Sequence, residues 1–278
     1  MKPLSPRKRR LYLIALVVLF FVVVPIALLY AGGWRYKAGF GLVQIGGIVV
    51  AVPLADATVT IDGDVIGQSG FFDRSFYISN LAPSSYVVQV EREGYYPWSR
   101  TLVVEPQIVT TASARLVSKE TRALLIQQAT TTSVSSTTRT VLAAEYNALL
   151  EAFETAATSS EVRGGQLVGM QLAVEEGNVY LRWPDGGRRF PDNFCARPSY
   201  CVDEIEVERG RPHAISAVFF ADGIVYATRT GGVFFSDPDV RPTELTVPLY
   251  PHGGADVRVV DGRLIVKDDD TLYEIEGL

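Results

Sequence analysis

Twenty-one consecutive residues, Leu11 to Ala31 (LYLIALVVLFFVVVPIALLYA), carry no charge. A helix of that length reaches across a hydrocarbon core of about 30 Å. Pro25 is compatible with this reading, because helices in membranes re-satisfy the backbone groups that proline frees. A secretory signal has a shorter apolar region, normally about 7 to 15 residues. A cut after Ala31 would also put Leu29 three positions before the new terminus, where a small residue is needed. The segment therefore reads as a retained, single-pass transmembrane helix over 11–31.

Charge sets its direction. Lys2, Arg7, Lys8, Arg9 and Arg10 precede the segment, and only Arg35 and Lys37 follow closely. The positive-inside rule places residues 1–10 in the cytoplasm as a basic tail and the bulk of the chain outside. Tyr12 suits the inner membrane interface; Tyr30, Trp34 and Tyr36 suit the outer one. The chain sums to -5, so the five basic residues of the head leave the rest at -10. An acidic body excludes nucleic acid as its partner, since phosphate binding needs clustered Lys and Arg.

Residues 32–47 form a juxtamembrane segment. The apolar run Ala38 to Val52 is broken by Gly39, Gly41, Gly46 and Gly47 and is too short to span. From Ile48 to about Val117 the pattern is strand after strand. Ala57, Val59 and Ile61 alternate with Thr58 and Thr60, the period of a half-buried strand. Asp62-Gly63-Asp64 supplies a turn. Tyr86, Val88 and Val90 alternate next, Glu93-Gly94 ends that strand, and Leu102 with Val104 opens another. About 70 residues of this kind predict a small β-sandwich over 48–117.

These residues resemble the PEGA domain family. The resemblance rests on VTIDG at Val59 to Gly63, on Leu81-Ala82-Pro83 followed by Tyr86-Val-Val-Gln-Val, and on Glu93-Gly94-Tyr95 followed by Pro97-Trp98. The tetrapeptide that names the family falls at Leu54-Ala55-Asp56-Ala57, which keeps only the final alanine. Ser85 stands where a glycine is usual. The resemblance implies a non-enzymatic β module on an extracytoplasmic protein, in contact with cell-surface material such as carbohydrate. The order of basic tail, membrane helix, PEGA domain and β-rich tail is similar to proteins of candidate-phyla bacteria. Phe71, Phe72, Phe76, Tyr77, Tyr95, Tyr96 and Trp98 crowd this domain. Two readings stand for them: core packing, and exposed rings on which a ligand stacks. Phe72, Tyr96 and Trp98 are the ligand-contact candidates.

Residues 118–140 read as a Ser/Thr-rich linker, with nine Ser or Thr among the eleven residues Thr130 to Thr140. Leu142, Tyr146, Leu149 and Phe153 then fall at helical spacing, predicting a short amphipathic helix over 141–157. Its stripe either packs on the following domain or forms a seam between copies.

Strands return over 164–278. Gly177-Asn-Val-Tyr-Leu-Arg-Trp, Gly223-Ile-Val-Tyr-Ala-Thr-Arg and Gly262-Arg-Leu-Ile-Val-Lys-Asp each open on a turn glycine and continue as an alternating strand. The repeat distance is that of a β-propeller blade of about 40 to 45 residues. The segment holds at most three blades, whereas closed propellers typically have about four or more. The domain is therefore either a propeller-like, unclosed array or a sandwich. Cys195 and Cys201 lie in it, in a compartment where thiols oxidise. They read either as a disulfide closing a short loop or as two buried thiols. The resemblance to similar bacterial proteins, in which a comparable pair recurs near the end of the β-rich tail, implies a structural role.

The predicted fold class is thus an all-β ectodomain behind one N-terminal helix. No G-x-S-x-G, phosphate loop or zinc signature occurs in the sequence. The only histidines, His213 and His252, sit in turn-like contexts. Carboxylate pairs such as Asp203/Glu204 and Asp237/Asp239 are what chance supplies in a chain with 31 acids. The expectation is a non-enzymatic protein without cofactor or metal. Its partners are the membrane and either an envelope glycan or another envelope protein. Two alternatives are a sensor ectodomain acting through a membrane partner, and a peptidoglycan hydrolase or its accessory.

Overall fold

The computed structural model describes residues 6–128, 137–154, 169–184, 190–207, 213–242 and 245–278. The chain begins with α1 (Pro6–Ala31), whose apolar stretch has a mean hydropathy of 3.1. Among the described residues it is the one helix long and apolar enough to cross a membrane. A short hairpin follows, β1 (Trp34–Lys37) with β2 (Gly41–Gln44).

Seven strands then build a sandwich: β3 (Gly46–Ala51), β4 (Thr58–Ile61), β5 (Asp64–Gln68), β6 (Ser75–Leu81), β7 (Ser85–Glu91), β8 (Trp98–Val103) and β9 (Val109–Ser113). One sheet has the order β6-β3-β9, with β3 and β9 parallel; the other has the order β5-β4-β7-β8. Alternation places Ile48, Val50, Val59, Ile61, Val88, Val90, Trp98 and Leu102 inside. At the β4–β5 turn both Asp62 and Gly63 have positive φ, the pattern of the two-residue turn whose twist matches its strands. Ser69 braces the degenerate Leu54 to Ala57 tetrapeptide: its hydroxyl accepts from Ala57 N (2.9 Å) and donates to the Leu54 carbonyl (2.7 Å).

The segment expected as linker, 118–140, contains two strands, β10 (Arg122–Gln128) and β11 (Thr138–Val141). β10 pairs with the last strand of the chain, so the second domain begins here and not at residue 164. Residues 129–136, most of the Ser/Thr run, lie outside the described residues. The predicted helix is α2 (Ala143–Glu154), and the expected 155–157 lie outside the description. Tyr146, Leu149, Leu150 and Phe153 pack onto Ile126, Val141, Ile265 and Leu272, which makes the stripe a packing face and not a seam. Leu142 departs from the stripe and is exposed.

The remaining strands are β12 (Gln171–Glu175), β13 (Asn178–Arg182), β14 (Cys195–Arg197), β15 (Tyr200–Cys201), β16 (Glu204–Val207), β17 (Ala214–Phe220), β18 (Gly223–Thr228), β19 (Gly232–Asp237), β20 (Leu245–Tyr250), β21 (Asp256–Val260), β22 (Arg263–Asp268) and β23 (Thr271–Glu276). They form three sheets of order β12-β13-β16, β17-β18-β19-β20 and β11-β10-β23-β22-β21, plus the small hairpin β14–β15. The three repeated units fall in three different sheets. Gly177 turns into β13, Gly223 opens β18 and Gly262 turns into β22, each an inner strand of its sheet. At Gly223 a Cβ would lie 2.3 Å from the Phe235 ring, so the unit needs glycine for close approach of the neighbouring strand.

The sheets stack face to face, with the β17–β20 sheet in the middle. β18 is buried along its whole length, as expected of a strand covered on both faces. One core lies between the middle sheet and β12-β13-β16, through Leu172, Leu181, Ile205, Phe219 and Tyr226. A second joins Val225, Phe235 and Val247 to Val257, Leu264 and Val266, and it is continuous with the core of the sandwich.

Candidate functional site

The sandwich has two pairs of edge strands, and their fates differ. On one side, β8 and β9 are covered by the second domain. Alternation in β8 turns Trp98, Arg100 and Leu102 to the same buried side. Trp98 is 1% exposed, and its indole N–H donates to Asp237 Oδ2 at 3.1 Å. Arg100 is fully buried; its Nη2 donates to Asp237 Oδ2 (2.9 Å) and to the Asp237 carbonyl (3.0 Å), while its Nε lies 3.6 Å from Asp239. Arg241 grips Asp239 through Nε (2.8 Å) and Nη2 (2.6 Å) and donates from Nη1 to the Thr111 carbonyl on β9 (2.8 Å). Thr111 also donates to Asp192, and Ser199 to Glu105. Burial pushes the Asp237 carboxyl up, against the pull of the Arg115 and Arg100 guanidiniums and the Trp98 N–H.

A cleft of about 530 Å³ opens beside this ionic cluster, between β3 and β9 of the sandwich and the Asp192, Asp222 and Asp237–Arg241 loops. Asp237 and Asp239, a carboxylate pair noted in the sequence, are both bound to arginines across or within this seam. Glu204 of the other pair accepts from Arg182 on the surface. His252 Nδ1 stands 2.8 Å from Asp268 Oδ2, which also accepts from the Tyr250 hydroxyl at 2.7 Å. Those two hydrogen bonds, the tyrosine's foremost, hold the Asp268 carboxyl below the usual carboxylate range; burial and that bond push the Tyr250 phenol up. His213 is exposed before β17.

On the other side of the sandwich, β5 and β6 are the outermost strands of their sheets, and no described strand pairs with their free edges. Each residue of β5 except Gly67 is exposed. Val65, Ile66 and Tyr77 present large side chains to solvent along this side. Neither strand carries a lysine or proline, the usual guards of an open edge. The loop between them bears Phe71 and Phe72 in edge-to-face contact, ring centroids 5.0 Å apart. Phe72 is 91% exposed, and Arg74 lies 5.8 Å from the Phe71 ring. Ala51 pairs with Ser75 and Val52 N donates to the Arg74 carbonyl, whereas Ile45 at the other end bonds to Gly33. The aromatic loop is therefore at the end of the sandwich away from α1.

The three ligand-contact candidates thus separate. Phe72 is at the open tip. Tyr96 is half-buried, packs on the sandwich core and lies under Lys119. Trp98 is sealed at the domain seam and is unavailable to a ligand, because its face of β8 is covered by the second domain. The open edge itself was missed; the absence of Lys and Pro from 64–68 and 75–81 was the signal that could have shown it. Cys195 and Cys201 face each other across the β14–β15 hairpin and form a disulfide. Among the described residues no group of three or more His, Cys, Asp or Glu side chains could hold a metal ion.

Residues 45–120 match the PEGA domain family, and this segment comprises the seven-stranded sandwich. The match spans about a quarter of the chain. No curated protein matches it.

Proposed function

We propose that this chain is a single-pass, membrane-anchored extracytoplasmic protein that works without catalysis, binding a protein partner of the cell envelope along the open β5–β6 edge of its PEGA domain. The supporting observation is the asymmetry of the sandwich: one pair of edges is capped by the second domain, and the other is unpaired among the described residues, exposes Val65, Ile66 and Tyr77, and is tipped by Phe71 and Phe72. An extended segment laid along β6 would satisfy its unpaired backbone groups and cover Tyr77. The five-to-two basic asymmetry around α1 supports the orientation that exposes this edge outside. Envelope glycan is the second reading, favoured by Phe72, an aromatic ring 91% exposed at the tip and open to stacking on a sugar.

A photo-crosslinking amino acid at Tyr77 or Phe72, in whole cells, tests the two. A discrete protein adduct at both positions, lost when Val65→Lys and Ile66→Lys are combined, supports strand addition. Adducts to envelope polymer alone replace it with the glycan reading. Equal labelling at the exposed Glu91 position, away from this edge, would sink both.

A further inference from the structure

The hairpin β1–β2 has a face that the anchor reading leaves unexplained. Register pairs Tyr36 with Leu42, which places both on one side of the ribbon. Tyr36 is 80% exposed, Leu42 54%, and Phe40 at the tip 53%. No described element covers them. The opposite side carries Arg35 and Lys37, and no acid occurs between Gly32 and Ala55 in a body that is otherwise acidic. The ribbon is thus amphipathic and cationic within three residues of the end of α1.

Its position is fixed by bonds. Arg35 lies over the Tyr30 ring at 3.5 Å and donates to the Tyr30 carbonyl at 2.8 Å. The Gly32 carbonyl accepts from Gln44 (3.4 Å) and from Gln107 (3.1 Å), and Ile45 N donates to the Gly33 carbonyl at 3.0 Å. Four residues of strand give the ribbon a length of about 13 Å from that junction. It is held beside the last helical turn and cannot be lifted away from it without breaking these contacts.

Resting on the anchor reading of α1, we infer that the β1–β2 hairpin is a second membrane element. It lies in the outer headgroup layer with Tyr36, Leu42 and Phe40 against the acyl boundary, and Arg35 and Lys37 meet the phosphates of anionic lipid. Aromatic rings settle at that depth, and basic side chains near an anionic surface are attracted to it. The hairpin then sets the tilt of the sandwich above the bilayer.

The full chain, with its disulfide intact, accepts one added cysteine for a nitroxide label in vesicles of mixed phosphatidylcholine and phosphatidylglycerol. Labels at Leu19→Cys, Phe40→Cys and Asp73→Cys are compared for collision with oxygen and with a water-soluble relaxant. The expected result is a label at 19 deep in the bilayer, one at 40 at headgroup depth, and one at 73 in water. A label at 19 outside the bilayer overturns the anchor and the hairpin together. A label at 19 inside with 40 as water-accessible as 73 overturns the hairpin alone. In pure phosphatidylcholine the label at 40 should become several-fold more accessible to the relaxant, and Arg35→Gln with Lys37→Gln should abolish that difference. No dependence on lipid charge overturns the phosphate contacts.

Discussion

Arg100 is the residue on which the two domains turn. Fully buried between Asp237 and Asp239, it neutralises carboxylates that the fold has taken out of water. Replacing one member of a buried ionic cluster leaves its partners uncompensated, at a cost of about 3–5 kcal/mol. Arg100→Ala is expected to lower the urea midpoint by that equivalent, whereas Arg182→Ala, whose partners Glu175 and Glu204 are exposed, should leave it unchanged. Asp268 predicts a pH effect. Its folded carboxyl is more acidic than an unfolded one because Tyr250 and His252 bond to its ionised form. That contribution is present above the ordinary carboxylate range and is lost as pH falls through the folded value. Asp268→Asn should therefore lower stability at pH 7 and flatten the acid limb of a midpoint-against-pH curve; an unchanged acid limb would refute the assignment. For Trp98 the sequence leaves core packing and ligand contact both open. Aspartates more than a hundred positions away decide for the interior, because Asp237 accepts from both the Trp98 indole and Arg100 on the same side of β8.

At the level of elements, what could be read from the sequence was whatever repeats locally. The sandwich strands, α2 and the three glycine-led units follow from alternation and helical spacing, and each occupies a defined place in the fold. The β10 and β11 strands did not, because their pattern is weak and their partners are distant. Leu124, Leu125 and Ile126 form a strand by pairing with β23, and the flanking Ser and Thr conceal them. The open edge was hidden for a different reason, since an edge is defined by a missing neighbour. Gly223→Ala tests the packing of the repeated unit. Its Cβ would also meet the Ser236 carbonyl at 2.9 Å, and overpacking of this kind costs about 1–3 kcal/mol. The same change at Gly63, where nothing lies within 4 Å but φ is positive, strains the backbone alone. Comparing the two denaturation midpoints separates crowding from strain.

For the whole molecule, the continuous core and the ionic seam predict one unfolding event rather than two. Calorimetry of the full chain in detergent should show a single transition for both domains, with tryptophan fluorescence and circular dichroism coincident. A separate early transition that leaves the sandwich folded would contradict the shared core. Arg100→Ala is expected to split it. The disulfide acts on a smaller scale. Closing a loop of this length is worth about 2 kcal/mol by chain entropy. Cys201→Ser should thus shift the midpoint modestly while the two domains still melt together.

The pairing of β10 with β23 has a consequence for the order of events in biogenesis. Arg122 finds Glu276 about 150 residues later in the chain. A strand made soon after the PEGA domain must therefore wait, with its pairing groups open, until the final segment has emerged. High-separation pairing of this kind slows folding and lengthens the time spent aggregation-exposed. A ribosome stalled before residue 271 would release a finished sandwich joined to an unfinished stack. That intermediate is the species a chaperone would be expected to shelter, and the one a quality-control protease would be expected to clear.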